Sequence, residues 1–266
     1  FRPRFIFREF NTKRFASATV AIAAVLLIGL LHDSGYAHAK PPDAGDVMAK
    51  NYEATRVAGS LANATFRLIN KNQQERIRKT VGITKLQRNG VDNMRMTRFL
   101  TPTDIRGTVS LLIEHTGRDD DIWIYLPALK KVRRLVASNK KDSFVGTDFS
   151  YGDIIGHRAQ DWTHRFIGEE TIDGQPCYVI ESVPVSDAIR ANTGYAKRVT
   201  WVRKDNYVSS QARFWDEHGQ ILKLTTVRDI RQVESRNNKW QGMILEATNL
   251  QTDHKTIIQF DDFRVD

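Results

Sequence analysis

The residues best suited to chemistry in this chain gather in a few short stretches. His157 and His164 flank Asp161 in HRAQDWTH, a set that could hold a metal ion. Their spacing fits neither the i, i+4 pairing of a helical metal site nor a zinc signature, so no metal is expected there. Asp119, Asp120 and Asp121 could gather calcium, yet the EF-hand spacing and its closing glutamate are missing, and a charged hairpin turn is the expected form. Nucleophile elbows of the G-x-S-x-G type, Walker loops and G-x-G-x-x-G loops are also absent. The expectation is a protein without a cofactor that is not an enzyme, with a dispersed Ser, His and Asp triad as the alternative that spacing leaves open.

The densest run of cations lies in YLPALKKVRRLVASNKKDSFVGTDFSYGDI, residues 125–154. Lys130, Lys131, Arg133 and Arg134 are followed by Lys140 and Lys141, then by Phe144, Phe149 and Tyr151. Cations beside aromatic rings suit nucleic acid, since the charges neutralise phosphate and the rings stack on bases. The start of the chain argues against that. Arg2, Arg4, Arg8, Lys13 and Arg14 precede an apolar run from Phe15 to Leu31 that leads to Ala37-His38-Ala39, an Ala-x-Ala pattern. This order of basic, apolar and small residues predicts a cleavable export signal over 1–39 and a single domain over 40–266, with an uncleaved anchor as the alternative. An exported protein does not meet the chromosome, so no nucleic acid partner is expected. Beyond residue 39 the chain holds 35 basic against 29 acidic residues, a mild excess that suits transient contact with anionic headgroups or an ordinary solvated surface. Cys177 is the only cysteine, so no internal disulfide is available and a buried strand position is its expected place.

Two kinds of element must position these residues. Val47, Met48, Tyr52 and Val57 recur at helical spacing with Asp43 as N-cap, predicting one amphipathic helix over 43–58. The period then changes to two. Runs rich in β-branched and aromatic residues cover 64–70, 75–87, 93–100, 107–115, 121–127, 131–136, 164–172, 176–184, 195–204, 208–216, 221–230, 240–250 and 255–265. Turns fall at Asn89-Gly90, Asp173-Gly174, Lys204-Asp205-Asn206 and His218-Gly219. The rhythm is that of a long antiparallel meander. Ile77, Val81 and Ile83 alternate with Arg76, Arg78 and Thr80, and Val109, Leu111 and Ile113 with Ser110 and Glu114, giving one apolar and one wet face. A twisted sheet this long curls, and its concave side must be filled by side chains, a helix or a ligand. In the basic stretch, Pro127 is expected to end one strand, with the charges of KKVRRL protecting the next from pairing with other chains or forming a docking surface. Asp148 and Asp153 are expected to fix the GTDFSYGDI turn through backbone N–H groups while Phe149 and Tyr151 pin it to the core.

The blocks YLPALKKVRR (125–134) and FVGTDFSYGD (144–153) resemble the signature of LolA-like outer-membrane lipoprotein-sorting proteins, and TWVRKDNYVSSQARFWDEHGQILK (200–223) resembles the paired strands that follow in that family. The resemblance implies a periplasmic protein of mainly β class, its antiparallel sheet curled into an incomplete, half-open barrel with an N-terminal helix and a short helical lid near 154–162. It further implies an apolar cavity for lipid or lipoprotein acyl chains and, for the longer branch of the family, a resistance-nodulation-division (RND) type inner-membrane exporter as partner. On that reading Phe66, Leu68, Met94, Met96, Leu111, Ile113, Ile122, Ile124, Val199, Trp201 and Phe214 are the candidate cavity residues, each of which could equally be ordinary core. Lys130, Lys131, Arg133, Arg134, Lys140 and Lys141 are the candidates for headgroup or partner docking. A carrier in transfer toward the outer membrane, a non-transporting adaptor of an envelope transporter and a lipid hydrolase are the three functions these features allow.

Overall fold

A computed structural model describes residues 41–136 and 140–266, and the expected signal segment 1–39 lies outside them. Helix α1 (Ala44–Ala54) begins where Asp43 accepts the Asp46 N–H at 2.8 Å, the N-cap bond that its short carboxylate side chain favours. It ends one turn short of the expected boundary, because Arg56 turns inward to pair with Glu114 at 2.5 Å. Ala44, Val47 and Met48 form its buried stripe and pack on Ile180 and Val202.

Every one of the thirteen runs is a strand. β1 (Gly59–Ile69), β2 (Glu75–Leu86), β3 (Asn93–Thr101), β4 (Val109–Ile113), β5 (Asp121–Leu126) and β6 (Lys131–Leu135) make the first half. β7 (Trp162–Ile172), β8 (Gln175–Pro184), β9 (Tyr195–Arg203), β10 (Ser209–Asp216), β11 (Ile221–Glu234), β12 (Lys239–Asn249) and β13 (His254–Val265) make the second. Consecutive strands pair antiparallel within each half, and β1 pairs with β13, joining the halves into one 13-stranded sheet whose edges are β6 and β7. The sheet is not closed into a barrel. Pro127 ends β5 in a 3-10 turn, Pro127–Leu129, and the exposed Lys131, Arg133 and Arg134 lie along edge strand β6, where charge opposes pairing with another chain. Between β8 and β9 stands a helix that the strand pattern does not predict, α3 (Asp187–Thr193), capped by Ser186 and ended by Gly194 at φ 75°.

The connection between the two edge strands covers one face of the sheet. It contains the 3-10 turn Phe144–Gly146, helix α2 (Tyr151–Ile155) and the 3-10 turn Ala159–Asp161. Phe144, Phe149, Tyr151 and Ile155 are buried against Phe66, Leu68, Phe99, Leu112, Ile122 and Ile258. Rings Phe66, Phe99, Phe144 and Tyr151 form a chain at centroid distances of 6.1, 6.2 and 5.4 Å. Each large apolar side chain buried this way contributes about 1.5–3 kcal/mol, so the connection is pinned as firmly as a core element.

The alternation in β2 and β4 runs opposite to the expected sense. Phe99 of β3 and Leu112 of β4 face the covered side, which places Thr80, Gly82, Thr97 and Ser110 there as well. Val81, Ile83, Val109, Leu111 and Ile113 therefore line the outer face, and Ile77 and Ile83 are 51% and 46% exposed. Period two identifies a strand but does not say which face is inside, and here the covered face carries much of the polar material.

Candidate functional site

A cavity of about 410 Å³ opens between the covered face of the sheet, the end of α1 and the α2 segment. Its space comes from small residues. Ser60, Ala62 and Ala64 occupy alternate positions of β1, and Ala62 faces Gly82 across β2. Gly242 is required for close packing, since a Cβ there would lie 2.1 Å from Val227 Cγ1. The apolar wall is supplied by Phe66, Phe144, Phe149, Leu245, Ile258, Phe260 and Phe263. Phe260 and Phe263 are three apart and would face opposite sides of a regular strand. A bulge in the β1–β13 pairing sets Phe263 opposite Ala62 and Phe260 opposite Ala64, so both rings reach the cavity, in edge contact at 5.8 Å.

Of the eleven candidate cavity residues, Phe66, Met96 and Phe214 border this space. Leu68, Ile122 and Ile124 are buried on the covered face away from it, Leu68 and Ile122 in the core around Phe144. Met94 pairs with Ile113 and Met96 with Leu111 on the outer face, since the intervening Arg95 points inward to donate a hydrogen bond to the Ile154 carbonyl. Met96 is accordingly 40% exposed although it borders the cavity. Val199 and Trp201 also face outward. They pack with Cys177 and Val179 in a separate cluster, while Arg198, Thr200 and Val202 take the inner positions of β9. The residues that sequence reasoning missed are the small ones of β1, the bulged phenylalanines and the inward arginines. Alternating Ser60, Ala62 and Ala64 was the one available signal.

Among the candidate docking residues, Lys140 pairs with Asp120 at 2.6 Å, Lys141 with Glu217 at 3.2 Å and Arg134 with Asp121. Lys130, Lys131 and Arg133 have no carboxylate at ion-pair distance among the described residues and are exposed. The two aspartates of the α2 segment act differently from one another. Asp153 accepts the Ser150 N–H at 2.7 Å in a reciprocal capping box, the expected local role. Asp148 instead binds across to β13, accepting from Thr256 Oγ1 at 2.7 Å and meeting His254 Nδ1 at 2.6 Å.

Asp153 is also the centre of a buried polar network. Lys223 of β11 pairs with it, Tyr195 Oη donates to it at 3.0 Å, and His157 Nε2 lies 3.2 Å away. Burial alone would raise the Asp153 carboxyl, but the Lys223 ammonium and the His157 hydrogen bond outweigh burial and hold it well below the ordinary carboxylate range. Burial likewise pushes the Tyr195 phenol up to about 12. His157 is ringed by Trp162, Tyr195 and Phe214, and His164 is held by Ser182 Oγ and the Ala159 carbonyl, so the two histidines have separate partners.

Burial lowers both histidines from their ordinary 6.5. A histidine kept neutral by burial takes up its proton more readily in the unfolded chain, so its contribution is complete above 6.5 and is lost as pH falls through the lowered folded values. Thermal melting of the full chain is expected to drop as pH goes from about 7 to 5. A His157→Gln variant, followed by circular dichroism, is expected to show a shallower drop, and an identical slope would contradict the assignment.

Residues 91–266, well over half of the chain, match a family model described as an uncharacterized protein. No curated protein matches the chain. Among solved structures, an outer membrane lipoprotein-sorting protein domain assigned in Vibrio parahaemolyticus aligns with TM-score 0.76 and 27% identity, over 84% of this chain and 92% of that one. A DUF1329 family protein from Desulfovibrio piger aligns with TM-score 0.76 and 25% identity, over 84% and 91%. A LolA superfamily protein from Nitrosomonas europaea shares the fold at TM-score 0.65 and 18% identity, over 85% and 94%. The chain therefore belongs to the family that this model describes, and its half-open sheet, with a segment spanning the two edges, is the LolA-like fold of these solved structures.

Proposed function

We propose that the protein is a periplasmic carrier that shelters a lipid acyl chain in the cavity beneath the α2 segment during transfer toward the outer membrane. The observation that carries this reading is the cavity itself, hollowed by Ala62, Ala64 and Gly82 and walled by Phe66, Ile258, Phe260 and Phe263. Core packing normally leaves no void of this size. Moving a 16-carbon chain through water exposes roughly 12 kcal/mol of hydrophobic free energy, at about 0.8 per methylene, so unassisted transfer is slow. A pocket nearly as favourable as a membrane removes most of that barrier and still permits release.

The volume of about 410 Å³ lies toward the lower end of the ~300–1,000 Å³ typical of small-molecule sites, which favours one chain in the closed form. Larger cargo requires the α2 segment to shift. Because β6 and β7 are unpaired edges, it can do so without breaking the sheet ladder. The similarity to a lipoprotein-sorting domain supports a lipid-modified protein as such cargo, and the exposed Lys130, Lys131 and Arg133 supply a face for anionic headgroups.

The test is transfer of a pyrene-labelled acyl lipid between phosphatidylethanolamine and phosphatidylglycerol vesicles. The full chain is expected to accelerate transfer in proportion to its concentration. A rate that does not depend on protein would overturn the carrier reading.

A further inference from the structure

The cavity wall carries three arginines, Arg56, Arg95 and Arg198, against a single carboxylate, Asp153. Two of these charges are already matched, Arg56 by Glu114 and Asp153 by Lys223. Arg95 and Arg198 have no carboxylate at ion-pair distance among the described residues. Arg95 spends one N–H on the Ile154 carbonyl and keeps its Nε buried without an acceptor. Arg198 is attracted by Asp153, but from beyond ion-pair distance, and Asp153 is already paired with Lys223. Arg198 is 7% exposed, its side chain makes no hydrogen bond among the described residues, and its Nε is buried without an acceptor. Its guanidinium lies against the Trp162 ring, 4.6 Å from the centroid, and it stands directly opposite Phe214, which also lines the cavity. Burial brings it down to about 10, which leaves it cationic at neutral pH.

A buried cation with no hydrogen-bonded partner is costly, and an anion with matching acceptors offsets that cost. The planar fork of a guanidinium fits the two oxygens of a carboxylate or a phosphate. A site for a small free anion alone would not need the phenylalanine wall that continues from it. We propose that the cavity takes an anionic amphiphile, with Arg198 receiving its carboxylate or phosphate headgroup and the wall of Phe66, Ile258 and Phe260 receiving its chain. This rests on the carrier reading and narrows its ligand to acidic lipids.

Isothermal titration of the full chain with hexadecanoate, hexadecyl phosphate, hexadecanol and inorganic phosphate separates the possibilities. Both anionic amphiphiles are expected to bind about tenfold or more tighter than the alcohol, the usual value of a hydrogen bond to a charged group. Arg198→Met is expected to erase that preference while binding hexadecanol as the unmodified chain does, and Arg198→Lys to keep part of it. Equal affinity of the unmodified chain for the alcohol and the two anions would overturn the headgroup site and leave the carrier reading standing, a comparison that needs no variant to fold. Binding of inorganic phosphate as tight as hexadecyl phosphate would make this a small-anion site and overturn the amphiphile. If none of the three chains binds, both the headgroup site and the carrier reading fail.

Discussion

Replacing Lys223 by Met is expected to cost the fold about 3–5 kcal/mol, the range for breaking a buried ion pair by removing one partner. Native domains have only about 5–15 kcal/mol of stability in total, so the variant should be close to unfolding. The cost arises from what is left behind. Asp153 is buried, and without Lys223 its direct partners would be the neutral His157, Tyr195 and Ser150, with Arg198 the cation that remains nearby, beyond ion-pair distance. The same substitution strips Lys223 from the Asp148 carbonyl at 3.3 Å and from the faces of Tyr195 and Phe214. Both aspartates belong to the α2 segment, so the loss falls on the element that closes the cavity. If the stranded carboxylate is the cause, adding Asp153→Asn to Lys223→Met should recover part of the stability, because Asn still accepts the Ser150 N–H. Urea denaturation checks both. A Lys223→Met midpoint equal to that of the unmodified chain would show that the pair does not hold the segment.

The second large effect is on binding. Ala62→Phe places a ring where β1 leaves room, opposite Gly82 on one side and Phe263 on the other. Acyl-chain affinity is expected to fall about tenfold or more, equivalent to roughly 1.4 kcal/mol of lost contact. The fold should tolerate the ring, since it enters an existing hollow rather than a packed core, where the same change would cost about 1–3 kcal/mol. Leu61→Phe is the control, one residue away on the same strand and on the outer face, where Leu61 is 42% exposed. It should leave affinity unchanged. Equal losses in the two variants, by titration with hexadecanoate, would mean that the chain does not enter this cavity.

The strands themselves were legible because β-branched and aromatic runs between Gly, Asn and Asp turns specify extended backbone locally. Their sidedness was not. In β2 and β4 the apolar residues Val81, Ile83, Leu111 and Ile113 face outward, while Thr80, Gly82 and Ser110 face the cavity side, so hydrophobicity alone pointed to the wrong face. Val199 and Trp201 misled for a related reason, since β8 and β9 bury apolar residues on both faces, Ile180 and Val202 beneath α1 and Val179 and Trp201 on the reverse. The β13 bulge that brings Phe260 and Phe263 together depends on register with β1, which no local pattern encodes. Half-buried Arg95 and buried Arg198 look in sequence like ordinary outward charges, and only the inward parity of β3 and β9 sets them apart. The YLPALKKVRR and GTDFSYGD blocks fared better: Phe149 and Tyr151 anchor the segment as expected, and the edge position of β6 accounts for its charges.

The central claim is that hydrocarbon occupies the covered side of the sheet and not its apolar outer face. Photo-crosslinking of the full chain with a hexadecanoyl probe carrying a diazirine in its chain, with adducts mapped by peptide mass spectrometry, tests this directly. Adducts are expected on Phe66, Ile154, Leu245 and Phe260, which line the cavity. Adducts confined to Leu61, Leu111 and Trp123, which share one outward row across β1, β4 and β5, would contradict the account.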